Sequence, residues 1–290
     1  MDLQKYFKTK KEMIDGMLEK HFQVPSESPF AEIYDAMRYT LFPGGKRIRS
    51  ILTLAAADAL GKDNNTVLPI ACALEAIHTY SLIHDDLPAL DNDDTRRGMP
   101  SNHIKFGEDI AILAGDGLLT LAFEFLSNIE TQNGDSAILL EAIYELARAA
   151  GPRGMVGGQA CEVRKRKEKE CELPVLQFLH IHKTGMLIRA ALTIPAKLLK
   201  ASNKEYEAFK SYGENLGLAF QIVDDIQDAQ KGKKENFSFP SVMSLDECKA
   251  RAIELKDKAL SQLSIFDKKA EPLRHIATFV VERMHAKNPN

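Results

Sequence analysis

A chain of 290 residues with 44% hydrophobic residues can build a sizeable core, as one large domain or two ordinary ones. A formal net charge of -3 gives no electrostatic basis for binding nucleic acid. The N-terminus, Met1 to Lys11, is charged and lacks the apolar centre of a secretory signal, and no apolar run reads as long enough to cross a bilayer. Stable membrane insertion is therefore not expected, and the expected compartment is the cytoplasm. Cys72, Cys161, Cys171 and Cys248 show no zinc-like or redox spacing and read as buried or incidental thiols in a reducing compartment.

In chain order, the apolar spacing predicts about ten helices, roughly over 3–21, 29–41, 46–60, 66–87, 104–129, 136–152, 173–200, 203–231, 245–264 and 270–286. Ile70, Leu74, Ile77 and Ser81 form one stripe; Leu216, Ala219, Val223 and Ile226 form another. Prolines mark helix edges throughout, except Pro195, which should kink or break the helix that contains it. No alternating strand pattern stands out. No Gly/Ser-rich linker divides the series, so residues 1–290 read as a single all-α domain.

Two acidic clusters carry the chemistry. Asp85-Asp86-Leu-Pro-Ala-Leu-Asp91 ends one apolar helix, and Asp224-Asp225-Ile-Gln-Asp228 lies near the end of another, more than a hundred residues later. Pro88 forces the first helix to stop, because the residue before proline avoids helical backbone. His78, Leu82 and Asp85 share a helical face, as do Gln221, Asp224, Asp225 and Asp228. Like charges at this spacing repel unless a cation sits among them. Hard oxygen donors favour Mg²⁺, which completes its octahedron with water and substrate phosphates. Basic residues cluster at Lys46-Arg47-Ile-Arg49 and Arg96-Arg97, each beside an apolar helix or an acidic motif, as anion sites would be. Gly44-Gly45 before Lys46 lets backbone N–H groups approach a phosphate. The run from Arg164 to Lys169 reads instead as a solvated face or loop.

These residues together resemble the trans-isoprenyl diphosphate synthases, with bacterial farnesyl diphosphate synthases as the nearest likeness. The resemblance rests on the stretch from Ala76 to His103, on Gly44-Gly-Lys-Arg-Ile-Arg49, Phe106-Gly-Glu and Ala114-Gly-Asp-Gly-Leu-Leu119, and on Gly157-Gly-Gln159, His182-Lys-Thr-Gly185 and Phe220-Gln-Ile-Val-Asp-Asp225. Each is weak alone, but their order and spacing are specific.

The resemblance implies a bundle of antiparallel helices around a central cavity and a homodimer. It implies head-to-tail condensation of an allylic diphosphate with isopentenyl diphosphate, assisted by Mg²⁺ in three bound ions, with Mn²⁺ as an alternative. Asp85, Asp86 and Asp91 would hold metal from one wall, Asp224 and Asp228 from the other. Arg96, Lys183 and Gln221 would contact the allylic diphosphate, with Thr184 and Gln221 directing dipoles at the forming cation. Lys46, Arg49, His78 and Arg97 would bind isopentenyl diphosphate, with Arg283 helping to close that site. Tyr80 and Ser81 lie in the chain-length region. The Tyr80 ring, about 7.5 Å before Asp85 along the helix, would stop growth at fifteen carbons.

The chain departs from the family pattern between Ala229 and Pro240. This segment is short, Ser238 and Phe239 replace threonine and tyrosine, and Asn236 replaces a lysine, with Lys231, Lys233 and Lys234 as candidate substitutes. Smaller departures are Ser50 for proline, Asn92 in the aspartate run and Glu162 for aspartate. The rival readings are a ten- or twenty-carbon synthase, a terpene cyclase or prenyl diphosphatase, and a low-activity or regulatory subunit of a heteromeric synthase. Lys46-Arg47-Ile-Arg49 argues against a cyclase, which needs no second diphosphate site.

Overall fold

The computed structural model describes residues 1–43, 45–130, 135–166, 172–232 and 237–285. Gly44, Cys171, Lys233, Lys234, Asn236, residues 167–169 of the basic run and the last residue of the final predicted helix lie outside them. The fold is all-α, and its residues form two compact units, one of Gln4–Leu54 with Asn64–Leu139, the other of Leu140–Asn290 with Met1–Leu3 and Ala55–Asp63.

The first unit contains α1 (Leu3–His21), α2 (Ala31–Leu41), most of α3 (Ile48–Ala59), α4 (Leu68–Asp85), α5 (Asn102–Phe106) and α6 (Glu108–Ser127). Its centre is α4. Eleven of its eighteen residues are buried, spread around the whole circumference, so the helix is wrapped rather than laid on a surface. Pro69 starts it, and it stops at Asp85 as Pro88 dictates.

Two expectations change here. The helix expected over 104–129 is two helices, because Gly107 adopts φ 94° and breaks the run between α5 and α6. By length and composition α6 is also apolar enough to cross a membrane, contrary to the sequence reading. Its charged positions, Glu108, Asp109, Asp116 and Glu124, fall mostly at its ends, so its middle passes a hydropathy test. In this unit α6 packs along α4 and α2.

A two-stranded hairpin, β1 (Thr95–Arg96) against β2 (Met99–Pro100), also went unread. It is too short for a period-two pattern, and its turn places Arg97 at φ 54° and Gly98 at φ 77°.

The second unit holds most of α7 (Ser136–Ala150), then α8 (Met155–Lys165), α9 (Leu173–His180), α10 (Met186–Leu198), α11 (Asn203–Gln230), α12 (Phe239–Val242), α13 (Leu245–Gln262) and α14 (Glu271–Glu282). Its axis is α11. Ser202 opens this helix with a reciprocal cap, its hydroxyl accepting from Glu205 N while the Glu205 carboxylate accepts from Ser202 N. Ile222, Val223 and Ile226 of α11 pack with Leu176, Phe239, Ala252, Leu255, Val281 and Met284 in one buried cluster.

The helix expected over 173–200 is interrupted, but not at Pro195. A π-helical turn, Ile181–Gly185, separates α9 from α10, which then runs through Pro195 to Leu198. Pro195 sits in the last turn and its neighbours Thr193, Ile194 and Ala196 are buried, so packing tolerates one lost donor. The predicted helices leave out α8, where Gly157 and Gly158 depress helix propensity. The described cysteines Cys72, Cys161 and Cys248 are free thiols, as expected.

Candidate active site

In the first unit, the turn after α4 folds back over the helix end. Asp91 N donates to the Asp85 carbonyl at 2.9 Å, Asn92 N to Leu87 O at 3.1 Å and Asp93 N to Asp86 O at 3.2 Å. These bonds satisfy carbonyls that a helix C-terminus otherwise leaves open. They also bring Asp91 back beside Asp85. The hairpin that follows returns Arg96 to Asp86. Arg96 Nε lies 2.7 and 2.8 Å from the two Asp86 carboxylate oxygens, and Nη2 lies 2.5 Å from Oδ1. Asp86 is buried, which raises its carboxyl above the usual range while the Arg96 fork opposes the shift. Asp86 and Arg96 thus stand as a pair, with Arg96 also 3.7 Å from Asp93.

Four arginines of this unit act on His78. Burial, and then the nearby charges of Arg49, Arg97, Arg96 and Arg47, hold His78 neutral, well below its ordinary pKa. Arg97 is itself lowered, by burial first, with Arg47 and Arg96 adding to the effect. Arg47 and Arg96 are already paired with carboxylates, and the positive charge of Arg49 and Arg97 beside His78 suits an anion. Arg97 Nη1 donates to Pro43 O at 3.0 Å, which ties the hairpin to the loop carrying Lys46. Tyr80 is buried one turn before His84, whose ring meets it edge-on at 5.7 Å. Burial pushes the Tyr80 hydroxyl up to about 12, so it stays neutral. The Ser81 hydroxyl donates to His78 O at 2.8 Å.

In the second unit, the π turn presents Lys183 and Thr184. A π turn inserts one extra residue and so rotates the following side chains out of helical register. Close packing fixes it from two sides: a Cβ on Gly217 would lie 2.9 Å from Gly185 Cα, and one on Gly158 would lie 2.5 Å from Lys183 N. Lys183 Nζ donates to Glu162 Oε2 at 2.7 Å, and Arg166 Nη2 lies 2.5 Å from Glu162 Oε1. Burial works to raise the Glu162 carboxyl, but Lys183 and Arg166 outweigh it and hold the group below its usual value. Thr184 is buried.

One turn beyond Gly217 on α11, Gln221 Oε1 lies 3.0 Å from His180 Nδ1. His180 is pushed down to about 4 by burial, so it is neutral. Its other nitrogen is 3.6 Å from Asp225 Oδ2. Phe239 N donates to that same oxygen at 2.8 Å, and the Phe239 ring stacks on His180 with centroids 5.1 Å apart. Phe239, near the end of the shortened segment, is therefore docked onto the second acidic cluster. Arg283 Nη2 donates to Asp224 Oδ1 at 2.8 Å, and Lys231 Nζ to Asp228 Oδ1 at 3.3 Å.

Sequence reasoning passed over His180 and Phe239. His180 lies three residues before Lys183, and that spacing was the available signal. The family pattern marks Phe239 only as a replacement for tyrosine.

Among the described residues no three carboxylate, imidazole or thiol groups converge as a ready-made metal cage. The acidic clusters nonetheless suit a hard divalent cation. They are all-oxygen donor sets, and they already draw Arg96, Arg283 and Lys231 onto Asp86, Asp224 and Asp228. A metal held by few carboxylates takes its remaining ligands from water and phosphate.

The profile of the polyprenyl synthetase family matches residues 30–256. The chain is 42% identical over 290 aligned residues to geranylgeranyl diphosphate synthase of Cyanophora paradoxa, covering 96% of this chain and 95% of that one. It is 38% identical to farnesyl diphosphate synthase of Geobacillus stearothermophilus, covering 98% and 99%. Among solved structures, the apo form of an FPP/GFPP synthase from Zymomonas mobilis matches with a TM-score of 0.89 at 38% identity, covering 97% of this chain and 99% of that chain.

Proposed function

Since the chain belongs to the polyprenyl synthetase family, and is a trans-prenyl diphosphate synthase acting on isopentenyl and allylic diphosphates, we propose that its product is farnesyl diphosphate. The observation that carries this reading is the buried Tyr80 ring one and a half turns before Asp85. Braced by His84, it would block an elongating chain that ran alongside α4. A twenty-carbon product is the second reading, favoured by the likeness to the Cyanophora enzyme.

Asp85, Asp91, Asp224 and Asp228 would hold Mg²⁺, or Mn²⁺, in three ions with the allylic diphosphate. Asp86 would hold metal with them and, through its pair with Arg96, aim that side chain at the same diphosphate. Bound metal supplies positive charge for the departing diphosphate. The chain's own residues do the rest. Arg96 and Lys183 neutralise charge that grows on the leaving oxygen as the allylic C–O bond breaks, so they stabilise the transition state more than the ground state. Thr184 and Gln221 turn dipoles toward the carbon left electron-poor. Lys46, Arg49, His78 and Arg97 hold isopentenyl diphosphate by its phosphates, and neutral His78 donates a hydrogen bond without taking the substrate's proton. An apolar surround would exclude water, which would otherwise capture the cation.

A homodimer is the proposed assembly. It is supported by a groove between α2 and α6 lined by Phe30, Tyr34, Met37, Leu113, Gly117 and Leu121, in which Phe30 is 65% and Leu113 54% exposed. The family match runs through both compact units, which supports their working as one functional domain.

The test is to incubate the purified chain with Mg²⁺, dimethylallyl diphosphate and labelled isopentenyl diphosphate and to chromatograph the products. A fifteen-carbon diphosphate is expected. A twenty-carbon product moves the assignment to the second reading, and intact substrates from a folded chain remove the stand-alone enzyme.

A further inference from the structure

Arg47 lies in the middle of the basic motif, yet it is only 2% exposed. All three of its guanidinium nitrogens are engaged within the first unit. Nε donates to Asp15 Oδ1 at 3.0 Å, Nη1 to Glu75 Oε1 at 2.9 Å and Nη2 to the Leu41 carbonyl at 2.7 Å. These partners come from α1, α4 and the end of α2. Glu75 is also buried, and its second oxygen lies 2.7 Å from the hydroxyl of Ser50, which is in turn 2.8 Å from Ala71 O. Ser50 occupies the first turn of α3, where the family pattern has proline and could offer no such hydrogen bond.

The backbone makes the same point. Gly45 has φ 82° and Arg47 φ 51°, so Lys46 is flanked by two left-handed residues. An arginine rarely adopts that conformation unless its surroundings impose it. On the other side of the loop, Gly45 lies against the Arg97 guanidinium, where a Cβ would be 3.2 Å from Nη2. The loop is gripped by Arg97 on one side and by Arg47 on the other. Glu75 stands one turn before His78 on α4, so one helix face carries both the anchor and the substrate-facing imidazole.

We propose that Arg47, with Asp15, Glu75 and Ser50, forms a buried clamp that positions Lys46 for the isopentenyl diphosphate site without touching the substrate. The inference rests on the condensation reading and concerns only its second diphosphate. Arg47 is thus a positioning residue, and Ser50 is this chain's own addition to the clamp.

The experiment measures kcat and the separate KM values for isopentenyl and allylic diphosphate on the full-length chain. R47K keeps the charge but cannot reproduce the fork. It should raise KM for isopentenyl diphosphate about tenfold, with kcat and the allylic KM within about threefold of wild type. S50A should produce the same split at about two- to threefold. D15N, altering the most exposed partner, gives the reading if R47K does not fold. K46A is the reference: it should show the largest rise in the same KM. Unchanged isopentenyl KM in R47K, or in D15N if only that variant folds, would overturn the clamp. So would an equal rise in both KM values. An unaffected KM in K46A would overturn its premise, while continued turnover in that variant would leave the condensation reading standing.

Discussion

Gly158 packs against the backbone of Lys183 so closely that a Cβ on the glycine would sit 2.5 Å from Lys183 N and 2.9 Å from Lys183 Cα. Neither atom is the mobile end of a side chain. Gly158→Ala must therefore push the π turn away from α8. Overpacking of this kind costs about 1–3 kcal/mol. The expected result is a lower Tm and a fall in kcat, because Lys183 and Thr184 move with the turn. A variant with lowered Tm and unchanged kcat would separate the packing from the chemistry.

Tyr80→Ala should lengthen the product from fifteen to twenty carbons, as read by chromatography of the dephosphorylated alcohols. Gly115→Ala should do so in part. A Cβ there would lie 2.1 Å from His84 Nε2, so the imidazole must swing away from the Ile112 carbonyl it now meets at 3.0 Å. Its edge contact with Tyr80 would loosen with it. An unaltered product from both variants would remove Tyr80 as the floor.

Glu162 links pH to stability. Its carboxyl is held below its ordinary value of 4.5, so the folded state binds its proton less readily than the unfolded chain. Its contribution is complete above about pH 4.5 and is lost as pH falls through the depressed folded value. Glu162→Gln should therefore flatten the acid limb of the stability curve below pH 4.5, measured by denaturant unfolding at a series of pH values. At neutral pH the same variant should lower turnover, because Lys183 loses its anchor.

Asp86 and Asp85 should respond differently to the same chemical change. Asp86→Asn strips Arg96 of a charged, bidentate partner and should cost about 1.5–3 kcal/mol in chemical denaturation. Asp85→Asn should leave stability close to wild type and lower turnover sharply. Equal stability losses would contradict the distinct positions of the two carboxylates.

The sequence by itself determined most of the helices and the placement of the acidic clusters at their ends. Both follow from local causes. Apolar residues at helical spacing mark a buried face, and Pro69 and Pro88 bound α4 because proline lacks an amide proton and restricts its neighbour. The family resemblance also lay in local motifs, and the profile match over residues 30–256 agrees with it.

Only the tertiary structure decided how those motifs are held. A π turn adds a single residue, so apolar periodicity reads Ile181–Gly185 as ordinary helix; it is the contact with Gly158 and Gly217 that marks the site. α8 was hidden for the converse reason, since its glycines weaken the helix locally while permitting that contact. The pairs Asp86 with Arg96, Glu162 with Lys183, and Asp224 with Arg283 join residues 10, 21 and 59 positions apart. No local rule couples such residues. Arg47 shows the difference most plainly: within the motif it resembles its exposed neighbour Lys46, but helices brought together by hydrophobic packing bury it beside Asp15 and Glu75. Short-range sterics choose the helices, whereas packing at a distance chooses which charges meet and which face water.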